Sequence, residues 1–223
     1  IRIILAITVW VYPGILLGIA SNDAMGFVEL AKEFSSNFTL SEFKKQIELS
    51  VLYNIILGIV FKILYPSQLI GNLFSVLIWA HSFYLIYSIL INLKLSKSSI
   101  FYALLYFTLS PCLIIFTSVT LRDCIILYFL INFLFFFLRF FNGKKFLDLI
   151  ILLFFLFLIY LSHYNFFFLF IIFGISLSSI LYLANYSRIY LNIYILSFFL
   201  FLLLINLFNF EHVFAYINNF QQG

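Results

Sequence analysis

The sequence predicts an all-α fold, a polytopic bundle of transmembrane helices. Hydrophobic residues make up 65% of the 223 positions and charged residues only 9%, whereas a soluble domain is about 45–50% apolar. The mean hydropathy of +1.19 points the same way. The apolar stretches are long and lack the polar–apolar alternation of β-barrel strands. Because backbone groups in lipid must be hydrogen-bonded within their own segment, we expect these stretches to be helices.

The number of spans follows from segment length, since a full crossing needs about 20 apolar residues. We expect about seven spans, at residues 2–20, 68–93, 99–118, 124–141, 146–162, 165–184 and 190–210. One further segment, near 49–65, is short, contains Lys62 and ends at the YPS of residues 65–67. We expect it to form an interfacial or re-entrant helix; a full crossing is the alternative.

The charged residues then indicate which side each loop faces. If 49–65 does not cross, the basic residues of the short loops share one side: Arg2, Lys94, Lys97, Arg139, Lys144, Lys145 and Arg188. This side is the cytoplasm by the positive-inside rule. The opposite side holds Asp23, Arg122, Asp123, His163, Glu211 and His212. The net charge of +4 therefore indicates orientation, and we expect no nucleic-acid partner.

We treat residues 1–223 as a single transmembrane domain. The chain begins at Ile1 and stops soon after a hydrophobic segment, so we expect it to be a fragment of a longer protein. Residues 21–48 are expected to form an exoplasmic loop with interfacial helices, since Glu29 and Lys32 have the i,i+3 spacing of helical neighbours. An ordinary solvated connector is the alternative.

Asp23 is the first candidate for chemistry. It directly follows the first predicted span, and partial burial at the lipid–water boundary would raise the pKa of a carboxylate toward that of a general base. The alternative is that Asp23 only caps a helix beginning at Ala24, because Asp is a preferred N-cap residue.

A second candidate lies in residues 110–130, SPCLIIFTSVTLRDCIILYFL, where Pro111 should break or kink the helix. Arg122 would hold a phosphate through paired N–H donors. Asp123 would orient it, position an acceptor or hold a metal ion. The alternative is a tight turn with two anchoring charges.

The remaining candidate residues are two of the three histidines and both cysteines. His163, in LSHYN, would donate to a phosphate or shuttle a proton, with a solvated turn residue as the alternative. His81 lies within a predicted span and is expected to be buried and bonded to Ser75, Ser82 or a neighbouring helix. We expect Cys112 and Cys124 to be packing residues, because they lack metal or CxxC spacing.

At these residues the sequence resembles the GT-C membrane glycosyltransferases. The pattern D-A-x-x-F-x-x-x-A, from Asp23 to Ala31, resembles their first-loop motif. Residues 54–90 resemble the membrane-dipping helix and next span of the protein O-mannosyltransferase-like branch. The SP…SVTLRD run resembles the element that follows there and in related O-antigen and polysaccharide polymerases. The resemblance covers about residues 1–140.

The resemblance implies transfer of a sugar from a polyprenyl-phosphate-linked donor to an acceptor hydroxyl on the exoplasmic side. Asp23 would be catalytic, Arg122 and His163 would bind the donor phosphate, and Asp123 would position the acceptor or a metal. The expected partners are the lipid-linked donor, a glycan or lipid acceptor and membrane lipids. A divalent cation is a candidate cofactor, and the bacterial inner membrane is the expected location.

Two further hypotheses stay open at this stage. A transporter or flippase without bond chemistry would need a polar path through the bilayer, with His81, Asn72, Asn92 and Asn132 facing one another at mid-depth. A non-enzymatic membrane scaffold would scatter its polar residues and enclose no cavity.

Overall fold

The chain folds as an assembly of helices. A computed structural model describes residues 1–12, 21–36, 52–143 and 145–162, and all regular structure in these ranges is helical. The helices are α1 (Arg2–Val11), α2 (Ser21–Ser36), α3 (Leu52–Ile63), α4 (Gln68–Asn92), α5 (Lys97–Leu109), α6 (Pro111–Phe116), α7 (Arg122–Gly143) and α8 (Phe146–Ser162).

Two helices in the described ranges are long and apolar enough to cross a membrane: α4 and residues Arg122–Phe140 of α7. The predicted spans 68–93 and 124–141 coincide with them. The expected count of seven is not supported. The segments 165–184 and 190–210 lie outside the described residues, and segment 2–20 is described only as far as Tyr12.

The predicted span 99–118 is two helices instead of one. α5 ends at Leu109, and Pro111 occupies the first turn of the six-residue α6. Proline has no N–H to continue the preceding helix, and its fixed φ suits the first position of the next one. α8 matches the predicted bounds 146–162, but its 17 residues reach only about 25 Å at 1.5 Å per residue.

The segment near 49–65 contains α3, whose 12 residues extend about 18 Å at 1.5 Å per residue. That length is well short of a hydrocarbon core about 30 Å thick. α3 lies against α2, which buries Ala24, Val28, Ala31 and Phe34 and exposes Glu29, Lys32 and Glu33. The apolar face of α2 is therefore covered by protein, and its charged face is open.

The largest core lies among α2, α3, α7 and α8. Apolar residues at i,i+4 spacing put one face of each helix into it, as in the series Tyr53, Leu57, Phe61 and the series Ile125, Phe129, Phe133, Phe137. α8 contributes Leu149, Leu152, Leu156 and Ile159. This core holds α7 in place, and the first residue of α7 is Arg122.

Candidate functional site

Between α6 and α7 the chain leaves the helical path over residues 117–121, and this segment is the centre of the candidate site. Its Thr117, Ser118 and Thr120 side chains are fully buried. The hydroxyls of Thr117 and Ser118 donate to carbonyl oxygens four residues earlier. Such bonds, together with the χ1 restriction of β-branched residues, compete with helix continuation. Buried irregular backbone between apolar helices is the kind of element on which binding sites are built.

Asn72 connects this segment to two helices. Its Nδ2 donates to the carbonyl oxygen of Ala6 in α1 at 3.1 Å, and its Oδ1 accepts from Thr120 Oγ1 at 2.8 Å. Asn72 is fully buried, so both bonds form away from competing water. Gly71 permits the approach, because a Cβ there would lie 2.6 Å from Thr120 Oγ1. The side-chain amide of Asn72, on α4, therefore links this helix to both α1 and the 117–121 segment.

The first turn of α2 meets the end of the same segment. Ala24 belongs to a small buried cluster with Val9, Val119 and Leu121, against which Phe27 also packs. The residue after Leu121 is Arg122, the first of α7. Residue 23 precedes Ala24 directly along α2, so the positions of Asp23 and Arg122 lie on the two helix ends that meet at this cluster.

Asp23 lies within the helix, because α2 runs from Ser21. The alternative in which Asp23 caps a helix beginning at Ala24 therefore has the wrong boundary.

Arg122 and Asp123 point to different surroundings. The Arg122 guanidinium carbon lies 5.9 Å from the centre of the Phe27 ring, and the side chain is half-buried. Asp123 is exposed. Consecutive residues on a helix do not face each other, which is consistent with separate roles for the two. In the described residues, Arg139–Asp148 is the ion pair that forms, and neither Arg122 nor Asp123 takes part in it.

Arg2 has surroundings that the sequence did not predict. It was expected to mark the cytoplasmic end, but it lies against Trp79, about 16 Å into α4 at 1.5 Å per residue. The guanidinium is 3.7 Å from the Trp79 ring centre. Its Nε donates to Thr117 Oγ1 at 2.8 Å and its Nη1 to the Thr108 carbonyl at 3.0 Å.

Two donors beside Arg2 have no acceptor among the described residues. The Arg2 side chain is 6% exposed, and no described residue accepts a hydrogen bond from its Nη2 or from the buried Nε1 of Trp79. No carboxylate of the described residues pairs with it. The sequence shows that residue 2 is charged but does not predict that it is buried. Its burial results from the antiparallel packing of α1 on α4, which no local sequence pattern predicts.

The polar residues that a transport path would need do not converge. Asn72 binds α1 and Thr120, and Asn92 is 20 residues away at the other end of α4. His81 is exposed and not buried as expected, although its Nδ1 does reach a neighbouring helix, at 3.1 Å from the Tyr128 hydroxyl. Asn132 donates to the carbonyl of Tyr128 in its own helix.

The remaining predicted groups are two cysteines and His163. Cys124 is a buried free thiol that donates to the Ser75 carbonyl, whereas Cys112 is exposed and does not pack as expected. His163 lies outside the described residues. Within those residues, no three His, Cys, Asp or Glu side chains gather in a way that could hold a metal ion. Comparison with protein families, curated proteins and solved structures found no match to this chain.

Proposed function

We propose that the chain is a membrane glycosyltransferase or polysaccharide polymerase of the GT-C kind, which transfers a sugar from a polyprenyl-phosphate-linked donor to an acceptor hydroxyl. The observation that carries the proposal is the meeting of two helix ends. The first turn of α2, with Asp23, and the start of α7, with Arg122, lie against one buried cluster of Ala24, Val119 and Leu121. An aspartate and an arginine at neighbouring positions of the fold are residue types that suit proton removal and phosphate binding.

Membrane embedding is part of the proposal. Apolar side chains remain exposed along α4 and α5, including Leu77 at 69%, Phe101 at 61% and Tyr106 at 77%. A soluble protein rarely exposes contiguous apolar surface of this kind, whereas lipid covers it without cost. We propose about seven spans in the bacterial inner membrane, with α3 not crossing and the Asp23–Arg122 junction on the outer side.

The proposed reaction is direct displacement at the anomeric carbon. Asp23 accepts the proton of the acceptor hydroxyl, whose oxygen forms the new bond to the anomeric carbon. The bond from that carbon to the phosphate oxygen breaks, and the phosphate keeps the electron pair. Arg122 and His163 stabilise the departing anion, as fixed positive charge does for any developing negative charge. Asp123 positions the acceptor or a divalent cation.

The first prediction concerns Asp23. Asp23→Asn should lower the rate of glycan assembly by about 100-fold or more, since a positioned general base contributes about 10²–10⁴ in rate. The measurement is product formed from a lipid-linked sugar by membranes containing equal amounts of each variant. Glu29→Gln is the matched control, because Glu29 is an exposed carboxylate on the same helix. A normal rate with Asp23→Asn would remove Asp23 from the mechanism.

A further inference from the structure

We propose that the turn between α3 and α4 is anchored in the headgroup region of the lipid bilayer by three consecutive apolar side chains. Ile63, Leu64 and Tyr65 are 75%, 66% and 68% exposed. A run of three exposed apolar residues is unfavourable in water unless a partner covers it. The partner that fits this turn is lipid, and the inference does not depend on sugar transfer.

Backbone hydrogen bonds hold the turn in a defined shape. The Leu64 N–H donates to the Val60 carbonyl oxygen and the Ser67 N–H donates to that of Tyr65, both at 2.9 Å. Ser67 then caps α4, because its hydroxyl oxygen accepts from the Ile70 N–H at 3.2 Å. The exposed apolar side chains therefore project from an ordered connection between two helices.

The turn lies where the bilayer changes from hydrocarbon to headgroups. α4 follows it directly and is about 37 Å long at 1.5 Å per residue, more than a hydrocarbon core about 30 Å thick. Residues 64–67 are not helical, and backbone N–H and C=O groups without partners cannot lie in lipid hydrocarbon. The apolar side chains disfavour bulk water and the open backbone disfavours hydrocarbon, so the headgroup region suits both.

The residue types around the turn favour the same region. Tyrosine is enriched at membrane–water interfaces, because its ring is apolar and its hydroxyl is polar. Lys62 is exposed, and the stem of a lysine can lie along apolar surface while its ammonium group reaches the headgroups. The sequence has no Asp or Glu from residue 49 to residue 122, so the turn itself carries no charge that headgroup phosphates would repel.

Anchoring of this turn would fix the depth of the candidate site. Asn72 lies about 8 Å beyond Ser67 along α4 at 1.5 Å per residue. Because Asn72 binds Thr120, the 117–121 segment is held at that level, and Arg122 follows it. The Asp23–Arg122 junction would then lie just below the headgroups.

Site-directed spin labelling measures the depth of the turn. Cys112→Ala and Cys124→Ala remove the native thiols, and a nitroxide is attached to Leu64→Cys in the full chain. The protein is held in nanodiscs of palmitoyl-oleoyl phosphatidylcholine and phosphatidylglycerol. The collision rate of the nitroxide with oxygen is divided by that with the polar nickel complex NiEDDA, and this ratio rises with depth. If Leu64→Cys does not assemble into nanodiscs, Ile63→Cys takes its place.

Two reference positions bracket the expected ratio. Glu33→Cys, on the exposed charged face of α2, should report water. Leu77→Cys, at an exposed position about 15 Å beyond Ser67 along α4, should report hydrocarbon. We expect the ratio at residue 64 to lie between these values, about threefold or more above that at residue 33, because apolar oxygen partitions into apolar surroundings.

Every other outcome overturns the proposal. A ratio at residue 64 equal to that at residue 33 would place the turn in water, and one equal to that at residue 77 would place it in hydrocarbon. Low collision rates with both reagents would mean that another part of the protein covers the turn. No sugar is transferred in this measurement, so its failure is distinct from failure of the Asp23 experiment.

Discussion

At the scale of single residues, the buried polar groups around residues 117–121 are held by hydrogen bonds whose geometry tolerates little change. Asn72, Thr120 and the Ala6 carbonyl form one connected set of hydrogen bonds. Each such bond contributes about 0.5–1.5 kcal/mol, and leaving one buried partner unsatisfied costs about 1–3 kcal/mol. The geometry depends on Gly71, because only a residue without a Cβ lets the Thr120 side chain come this close.

Gly71→Ala should therefore destabilise the protein. The new Cβ would lie 2.6 Å from Thr120 Oγ1, and overpacking of this kind costs about 1–3 kcal/mol, more than the roughly 0.5–1 kcal/mol gained from better helix propensity. Gly26→Ala is the control, since a Cβ there meets nothing within 4 Å. The thermal midpoint in micelles should fall for Gly71→Ala and rise slightly for Gly26→Ala; equal midpoints would contradict this packing.

The sequence singles out a candidate residue only where that residue breaks a pattern. Asp23 and Arg122 stand out because charge is rare in an apolar chain. Arg2 is equally visible, but its burial against Trp79 depends on how α1 lies on α4. The missing acceptor at Trp79 Nε1 has no sequence signal, because hydrogen-bond satisfaction is a property of tertiary packing.

At the scale of elements, α7 and α8 form the main packed pair, and one ion pair joins them near their connection. Arg139 Nη2 lies 3.2 Å from Asp148 Oδ1, with the Asp148 side chain 3% exposed and that of Arg139 44% exposed. A nearly buried carboxylate needs such a partner, because an unpaired buried charge is strongly unfavourable. The pair thus stabilises the hairpin that holds Arg122 at the start of α7.

A double-mutant cycle should measure this pair. Arg139→Gln alone should destabilise the protein by about 1.5–3 kcal/mol, the range for a hydrogen bond to a charged group, because it leaves Asp148 without its partner. Adding Asp148→Asn should recover part of the loss, since the buried charge is removed. Chemical unfolding in micelles provides the free energies. Strictly additive effects of the two substitutions would mean that the pair contributes nothing.

Helix positions were largely predictable from the sequence, whereas the breaks between helices were predicted only in part. The bounds of α4, α7 and α8 agree with the apolar segments to within a few residues, because length and apolarity decide those helices. Pro111 correctly predicted a break. The predicted span 99–118 wrongly included Thr117 and Ser118, which leave the helix together with residues 119–121, because Thr and Ser tolerate both states and tertiary contacts decide between them.

At the scale of the whole molecule, the proposed reaction requires the start of α2 and the start of α7 to face the same side of the membrane. α1 runs antiparallel to α4, with Arg2 beside Trp79 and Ala6 beside Asn72. The Asn72 end of α4, the first turn of α2 and the start of α7 therefore meet at one end of the described assembly. Lys94 follows the opposite end of α4, where positive φ at Lys94 closes the turn into α5.

Cysteine accessibility tests this arrangement most directly. Cys112→Ala and Cys124→Ala remove the native thiols, and single cysteines then replace Asp23, Asp123 and Lys94 in turn. Cells are treated with a membrane-impermeant maleimide before and after permeabilisation. We expect cysteines at 23 and 123 to react in intact cells, and one at 94 to react only after permeabilisation. Reaction of 23 and 123 from opposite sides would contradict a shared outer site and, with it, the proposed transfer reaction.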